Sequence, residues 1–281
     1  MAMPPAALQT VSDIARHEAG LNLGAGKAAM VEARLRRRLR ALGLADYAAY
    51  CALVEGSTEE SRRERRALVN AMTTNVTSLF RERHHFPILA DHVARRLRDG
   101  SRREVAIWSA GGSNGCEAVS ALLAIAAAVP SADLARLSVL VTDIDDGAVA
   151  AAEEGLYDFA GLTDDDRALY GGFLRRHGDS RFSLVPELRD RITVRRHNLV
   201  RTRAPGTAFD AVLCRNVLIY FDDATTRQVE GALVAAVRPG GLLFLGHSER
   251  VLPEAAGADE LIRVGTTAFQ RELSGRRIAC Q

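Results

Sequence analysis

Apolar positions in the first 85 residues recur with the period of an α-helix. The positions that carry this period most clearly are Met30, Leu35, Leu39, Leu42 and Leu44. Because no alternating β-branched run interrupts this part of the chain, the pattern predicts a small helical bundle. Gly43 is typical of the residue that ends a helix. Further helices are predicted over residues 45–53, 59–72 and, leading onward, 82–98.

From residue 104 the pattern changes to short apolar runs that alternate with helical segments. Strands are predicted over residues 105–110, 137–145, 192–198, 209–216, 241–248 and 262–272. Helices are predicted over residues 117–128, 146–154 and 223–237, and a turn over residues 238–241. This alternation predicts a mostly parallel, Rossmann-like α/β sheet with right-handed crossovers. Such sheets bind ligands at the carboxyl ends of their strands.

Composition and charge exclude several classes of protein. Hydrophobic residues make up 47% of the 281 residues and charged residues 26%, which is typical of a globular chain. The net charge of +2 is too small to indicate a nucleic-acid partner. The longest weakly polar stretch, residues 118–129, is too short to insert into a membrane, and the N-terminus lacks a secretory signal, so we expect a cytoplasmic protein. Four cysteines without CxxC spacing make a metal site improbable.

The segment after the first predicted strand carries the candidate chemistry. A Gly-rich turn, Gly111–Gly115, leads into a predicted helix, and Asp143 stands at the end of the second strand, where a carboxylate can accept both ribose hydroxyls. The dinucleotide pattern G-x-G-x-x-G is absent, and Glu117 in the first helical turn would repel a phosphate. A carboxylate there suits a cation such as an α-amino group. S-adenosylmethionine, a nucleoside with an amino-acid tail, fits this combination.

Five segments in the same order resemble the CheR family of chemotaxis receptor methyltransferases. They are TTNVTSLFRERHHFPIL (73–89), IWSAGGSNGCEAVS (107–120), VTDID (141–145), FDAVLCRNVLIYFD (209–222) and RPGGLLFLGHSE (238–249). The resemblance runs from about residue 27 to 270, nearly the whole chain. It implies a class I S-adenosylmethionine-dependent methyltransferase domain over residues 86–281, preceded by an all-α domain and linker over residues 1–85.

The resemblance also implies the reaction. Members transfer the methyl group of S-adenosylmethionine to glutamate side chains on the cytoplasmic domain of methyl-accepting chemoreceptors, leaving S-adenosylhomocysteine and a glutamyl methyl ester. In some members a small β-subdomain, which would cover residues 157–190 here, holds a receptor peptide. A hairpin is expected around Gly178, but because the segment is slightly short we do not expect it to bind such a peptide. A monomer is expected.

Residue roles follow from the same motifs. The positions that match cofactor contacts of the family are Asn75, Thr77, Arg81, Glu117, Asp143, Asn198, Leu199, Arg215 and Asn216. Arg81 and Tyr220 match residues next to the transferred methyl group, so they are the candidate catalytic residues. A free Glu has a pKa of about 4.3 and is already a carboxylate at neutral pH. No general base is therefore required, and Arg81 would orient the incoming carboxylate while Tyr220 supplies a hydrogen bond.

Arg34, Arg37 and Arg40 form a basic stripe on one predicted helix. With the family in view, we expect this stripe to dock the Glu-rich helices of a receptor, although a solvated helix face is the usual outcome for such a run. Trp108 is expected in the core. The neighbouring His84 and His85 point too far apart on a helix to share a metal ion.

Two alternatives remain open because the chain departs from the family pattern. The family has S-T-G-E-E-P-Y-S where this chain has Ser113–Ser120, so Cys116, Ala118 and Val119 replace an acid, a proline and a tyrosine. These changes leave room for a non-catalytic module that binds S-adenosylmethionine or S-adenosylhomocysteine. A methyltransferase of the same fold with another substrate is the second alternative.

Overall fold

The chain folds into two compact units, and the computed structural model describes residues 3–99, 104–206 and 208–273. One unit comprises the residues up to Thr74 together with Tyr220–Thr226. The other comprises Asn75–Ile219 and the residues from Arg227 onward. The linker that follows the helices therefore packs with the second unit. No helix in the described part of the chain is long and apolar enough to cross a bilayer.

The first unit is helical, as its apolar periodicity predicts. Its described α-helices are α1 (Pro5–Ala19), α2 (Ala28–Leu42), α3 (Tyr47–Glu55) and α4 (Glu59–Met72). The predicted end of α2 is confirmed, since Gly43 caps it at a φ of 65°. The side chains that fill the core include Val11, Val31, Leu35, Tyr50 and Leu68, all fully buried. Burial of these apolar faces holds the helices together.

The second unit is built on a mostly parallel sheet, and this prediction is confirmed. In the described residues the strands are β1 (Val105–Ala110), β2 (Leu137–Asp143), β3 (Tyr157–Asp158), β4 (Leu174–His177), β5 (Arg181–Leu184), β6 (Ile192–Arg196), β7 (Phe209–Cys214), β8 (Val237–Leu245), β9 (Leu261–Gly265) and β10 (Ala268–Arg271). Seven of these strands form one sheet in the order β6-β2-β1-β7-β8-β10-β9. The pairs from β6 to β8 are parallel, and β10 is antiparallel to both of its neighbours.

Helices connect the parallel strands. Those described in this unit are α5 (His85–Arg98), α6 (Cys116–Ala126), α7 (Asp146–Glu154), α8 (Asp164–Tyr170), α9 (Pro186–Arg189) and α10 (Asp223–Ala236), the last from Arg227 onward. Every residue of β7 is buried, which explains why its sequence reads as a nearly unbroken apolar run. Trp108 lies in the core as expected, 1% exposed, with its Nε1 donating to Thr142 Oγ1 at 2.9 Å.

Two sequence predictions near the C-terminal part of the sheet are wrong. Residues 238–241 do not form a turn, because β8 runs through them, and the positive φ of Gly240 (77°) accompanies a shift in its register with β7. The run 262–272 is not one strand but the hairpin of β9 and β10, which reverses at Thr267 with a φ of 49°. Neither glycine nor alternation alone distinguishes a bulge from a turn, or one strand from two.

A second, smaller sheet contains β3, β5 and β4 in that order. The hairpin expected around Gly178 is present, since β4 and β5 pair antiparallel and Gly178 has a φ of 66°. Phe182 of β5 is fully buried and packs against Tyr157 and Phe159 with tilted rings. This aromatic cluster fastens the small sheet to the main core. That it binds no receptor peptide stays a prediction.

One acidic side chain of α10 is buried with only part of its hydrogen-bonding capacity satisfied. Glu230 is 1% exposed, and one of its carboxylate oxygens accepts the N–H of Leu252 at 3.0 Å. Its other oxygen has no hydrogen-bond partner among the described residues. Burial, and to a smaller extent the carboxylate of Glu249, raises the pKa of Glu230 to about 7. The folded chain therefore holds a proton here that the unfolded chain has already lost.

Replacing Glu230 by Gln tests whether the folded chain holds a proton on this carboxyl group. Between about pH 4.5 and pH 7 the folded chain binds more protons at this position than the unfolded chain, so stability falls as the pH rises. The Glu230→Gln variant has no titrating carboxyl group at this position, so it does not lose this part of its stability as the pH rises. Between about pH 5 and about pH 8 we expect its stability relative to the native chain to increase by up to about 3 kcal/mol in urea unfolding. Parallel curves for the two proteins would contradict the raised pKa.

Candidate functional site

The polar residues predicted to bind a ligand collect at one edge of the large sheet, within the second unit. β1 and β7 are adjacent, and the chain proceeds from β1 outward to β2 and β6 in one direction and from β7 to β8 in the other. This change of direction is the point at which parallel sheets open a crevice at the carboxyl ends of their strands. The loops after β1, β2, β7 and β8 line it.

The Gly-rich loop after β1 has an unusual backbone. Gly111, Ser113 and Gly115 all have positive φ, at 71°, 52° and 87°. The N–H groups of Gly111 and Gly112 both donate to the carbonyl oxygen of Thr142, at 2.8 and 2.9 Å. The loop is thereby fixed to the end of β2. Glycine is favoured at 111 and 115 because a side chain there would be strained.

Asp143, the predicted ribose ligand, is 8% exposed at the end of β2. Its two carboxylate oxygens accept the N–H groups of Ser113 and Asp145, each at 2.9 Å. Burial raises its pKa, and these backbone hydrogen bonds oppose the shift. Each oxygen keeps a further lone pair. Asp143 therefore holds the Gly-rich loop in place and can still accept hydroxyl groups of a ligand.

A buried arginine, Arg215 after β7, joins three parts of the site. Its side chain is 3% exposed, and its Nη1 lies 3.1 Å from Glu117 Oε2 while its Nη2 lies 3.4 Å from Glu82 Oε2. The same Nη2 donates to the carbonyl oxygen of Arg81. Ser109 Oγ donates to the other oxygen of Glu117 at 2.6 Å. The two acids, the linker and the end of β7 are thus tied to one guanidinium.

The pKa values of the two carboxylates around Arg215 are shifted in opposite directions. Burial raises the pKa of Glu117, against the opposing charge of Arg215. Burial would also raise the pKa of Glu82, but hydrogen bonds from His247 and the charge of Arg215 outweigh it and lower the pKa to about 2. His247 donates through its backbone N–H at 3.0 Å, and its Nδ1 lies 2.8 Å from Glu82 Oε1. Two acids and one arginine leave the cluster with an excess of negative charge, which suits a cationic ligand.

The linker before α5 lies against the Gly-rich loop and α6. Ser113 Oγ donates to the carbonyl oxygen of Asn75 at 3.2 Å, and the N–H of Phe80 donates to Ser120 Oγ at 2.8 Å. Phe80 has a φ of 52° and stacks on Tyr170 with ring centroids 5.1 Å apart. A strained backbone of this kind persists only where its surroundings fix it.

Arg81 and Thr77 are both half-buried on this linker. Arg81 Nη1 donates to the carbonyl oxygen of Val76 at 3.0 Å, so its guanidinium turns back over the linker. Of the predicted contacts on the linker, Asn75 is therefore the one that the structure joins to the Gly-rich loop, within the described residues. Glu82 itself has a φ of 52°.

The remaining predicted contacts lie after β6 and β7. Asn198 Oδ1 accepts the N–H of Val200 at 3.0 Å and so caps the turn that contains Leu199. The preceding residue, His197, donates its N–H to the carbonyl oxygen of Asp143 at 2.8 Å. Asn216 has a φ of 61°, and its Oδ1 is buried without a hydrogen-bond partner among the described residues.

Four predicted residues belong to the first unit. Tyr220 accepts the N–H of Asn22 on its carbonyl oxygen at 2.8 Å, and its ring centroid lies 5.8 Å from Lys27 Nζ. Arg34 on α2 donates to the carbonyl oxygen of Thr73 at 2.8 Å. The other two, Arg37 and Arg40, are exposed on the same helix.

Sequence reasoning did not assign three residues of the site. Glu82 belongs to the cluster around Arg215, His247 hydrogen-bonds to Glu82, and Glu249 accepts several backbone N–H groups after β7. Their signal was present, because Glu82 follows Arg81 directly and the other two close the segment 238–249. Nothing in those segments alone shows which of their polar residues face one another.

The residues that depart from the family pattern lie on α6, which is buried along most of its length. Cys116, Ala118 and Val119 are 7%, 1% and 0% exposed and belong to the hydrophobic core. Burial raises the pKa of the Cys116 thiol to about 11, so it stays protonated. These substitutions repack the support of the loop and leave Glu117 in place.

The residues present fit S-adenosylmethionine. The buried acceptor of Asn216, the buried carboxylate of Asp143 and the negative cluster around Glu117 supply acceptors for hydroxyl and ammonium groups, while Arg215 can pair with a carboxylate. In the part of the chain that the structure describes, no cluster of three or more acidic, histidine or cysteine side chains is placed to hold a metal ion.

Comparison with known proteins agrees with this reading. Residues 6–73 match the family model described as the CheR methyltransferase all-alpha domain, and residues 75–265 match that of the CheR methyltransferase SAM binding domain.

Relatives cover most of the chain. A chemotaxis protein methyltransferase of Salmonella typhimurium is 37% identical over 254 residues, which is 89% of this chain and 85% of the relative. Chemotaxis protein methyltransferase 2 of Pseudomonas aeruginosa is 38% identical over 255 residues, which is 89% of this chain and 87% of the relative. A probable chemotaxis protein methyltransferase of Rhizobium etli is 34% identical, covering 92% and 98% of the two chains. The chain therefore belongs to the CheR methyltransferase family and is a methyltransferase that uses S-adenosylmethionine.

Proposed function

We propose that this chain methylates glutamate side chains on the cytoplasmic helices of chemoreceptors, which gives glutamyl methyl esters for adaptation in a chemosensory pathway. The observation that carries the proposal is the cluster of Arg215, Glu82 and Glu117 at the same edge of the parallel sheet as Asp143. The relatives are named as chemotaxis methyltransferases, which supports a chemoreceptor as the partner. The protein would act in the cytoplasm, as a monomer.

The substrate chemistry requires little from the protein. A receptor glutamate is ionised at neutral pH and attacks as a carboxylate, so no proton has to be removed. S-adenosylmethionine supplies the electrophilic methyl group on its sulfonium. Glu117 would accept the amino group of the cofactor, and Arg215, already beside Glu117, would pair with its carboxylate. Asp143 would accept the ribose hydroxyls.

Alignment and exclusion of water are then the main contributions to rate. Arg81 would orient the incoming carboxylate through its guanidinium, and Tyr220 would supply one hydrogen bond and a wall. Asn75, Thr77, Asn198, Leu199 and Asn216 complete the proposed cofactor contacts. The alternative of a non-catalytic binding module was suggested by the changes at Cys116, Ala118 and Val119. These residues are buried in the core and are not among the proposed cofactor contacts, so the changes do not favour that alternative.

Asp143→Ala should abolish most of the cofactor affinity. Removing a carboxylate that accepts two ribose hydroxyls costs about 1 kcal/mol or more for each hydrogen bond, so binding should weaken by at least about tenfold in calorimetric titration with S-adenosylmethionine. Asp190→Ala, which removes an exposed acid of the same unit, is the control and should bind normally. Equal affinity in native and Asp143→Ala protein, both folded by circular dichroism, would contradict the ribose role.

Arg81→Ala and Tyr220→Phe should each lower turnover by about tenfold or more, because both disturb the alignment of the attacking carboxylate. The measurement is transfer of a radiolabelled methyl group from S-adenosylmethionine to receptor-containing membranes, with base-labile esters counted. Tyr170→Phe, a tyrosine of the linker packing, is the matched control. Normal rates in Arg81→Ala and Tyr220→Phe would remove both residues from the mechanism.

Reversing two charges of the stripe, Arg37→Glu with Arg40→Glu, should weaken receptor methylation without changing cofactor affinity. The docking surface would lose its attraction for the acidic receptor helices, so KM for the receptor should rise about tenfold at low salt, and less at high salt. Arg62→Glu with Arg63→Glu on α4 carries the same change in net charge and should have a smaller effect. Equal effects of the two double variants would indicate a contribution of net charge alone.

A further inference from the structure

Glu249, in the loop after β8, has a carboxylate that accepts hydrogen bonds from several backbone N–H groups. The residue is 8% exposed. Its Oε1 accepts from Val217 and Leu218 at 2.8 Å each and from Ile219 at 3.4 Å. Its Oε2 accepts from Asn216 at 3.0 Å and from Gly246 at 2.6 Å.

These donors come from two different loops. Four of them are consecutive residues of the segment 216–219, which leaves the sheet at the end of β7. The fifth, Gly246, directly follows β8, the parallel neighbour of β7. A single carboxylate therefore satisfies backbone groups that neither the sheet nor a helix satisfies, and it fastens the two strand ends to each other.

The fastened segment has a backbone that would not adopt this shape unaided. Asn216 has a φ of 61°, which is uncommon for a residue other than glycine. Gly246 approaches so closely that a Cβ on it would lie 2.6 Å from both the backbone N and the Nδ2 of Asn216. The charge of Glu249 and the missing side chain at 246 together hold Asn216 in place.

We infer that Glu249 is a positioning residue for methyl transfer. The segment that it holds contains Asn216, a proposed cofactor contact, and is followed directly by Tyr220, a proposed catalytic residue. By fixing four consecutive N–H groups, Glu249 fixes the point from which the chain continues to Tyr220. This inference rests on the proposed function and adds to it a residue that touches neither cofactor nor substrate.

Only a carboxylate of this length fits the role. Five N–H donors converge on two oxygens, so an amide in place of the acid would direct an N–H₂ group at other N–H groups on one side and would lose the negative charge. Aspartate keeps the charge but is one methylene shorter, so it cannot reach donors from both loops. The segment should then relax while the sheet remains.

The test compares Glu249→Gln with Glu230→Gln. Both acids are buried in the same unit, and each accepts a backbone N–H, but the N–H that Glu230 accepts belongs to Leu252, which is not a proposed cofactor or catalytic residue. For Glu249→Gln we expect kcat for receptor methylation to fall by about tenfold or more, with KM for the receptor changed less than about threefold. Glu230→Gln should keep its kcat. Native kcat in Glu249→Gln would overturn the inference.

A double-mutant cycle with Tyr220→Phe separates positioning from a general loss of structure. If Glu249 acts through Tyr220, the double variant Glu249→Gln with Tyr220→Phe should lose little more activity than the more damaged single variant. Independent effects would multiply instead, and that outcome would overturn the inference. Should Glu249→Gln not fold, Glu249→Asp takes its place in the same cycle, with thermal unfolding followed for each variant.

The two levels of the proposal fail in different ways. If native protein binds S-adenosylmethionine but transfers no methyl group to receptor membranes, the proposed function fails. If native protein transfers methyl groups and Glu249→Gln does so equally fast, the proposed function stands and the positioning role fails.

Discussion

The site depends on one buried cation, Arg215, held between two carboxylates. An arginine whose side chain is 3% exposed requires compensation of its charge, and Glu117, Glu82 and the carbonyl oxygen of Arg81 provide it at the two Nη groups. These partners come from the helix after β1 and from the linker before α5, whereas Arg215 follows β7. The electrostatic requirement of one side chain therefore brings three distant stretches of sequence to the same place.

Two further carboxylates perform a related task on neutral groups. Glu249 satisfies N–H groups after β7 and β8, and Asp143 does the same for the Gly-rich loop. Acids that look like candidate ligands in the sequence are thus also structural acceptors. The site is built largely by carboxylates that hold loops, and the unusual φ values of Phe80, Glu82 and Asn216 lie next to these anchors. Such backbone strain persists where the surroundings over-determine it.

The departures from the family motif show that the effect of a substitution on the site depends on where the residue lies in the fold. Cys116, Ala118 and Val119 replace an acid, a proline and a tyrosine, yet all three are buried in the hydrophobic core. Glu117, which stands between Cys116 and Ala118 in the sequence, instead pairs with Arg215. Repacking a core with residues of suitable volume is tolerated far better than losing a buried charge from a matched pair.

The sequence by itself determined the helical first part, the alternation of strands and helices, the Gly-rich loop with Asp143 and Glu117, and the family. These features are carried by local periodicity, by glycine at turns and by short motifs, all of which are readable along the chain. The tertiary structure alone decided that residues 238–241 continue a strand, that residues 262–272 fold into a hairpin, and that Arg215 pairs with Glu117. Register, bulges and ion pairs depend on which neighbour a strand or side chain meets, and Glu82 meets His247 from 165 positions away in the sequence.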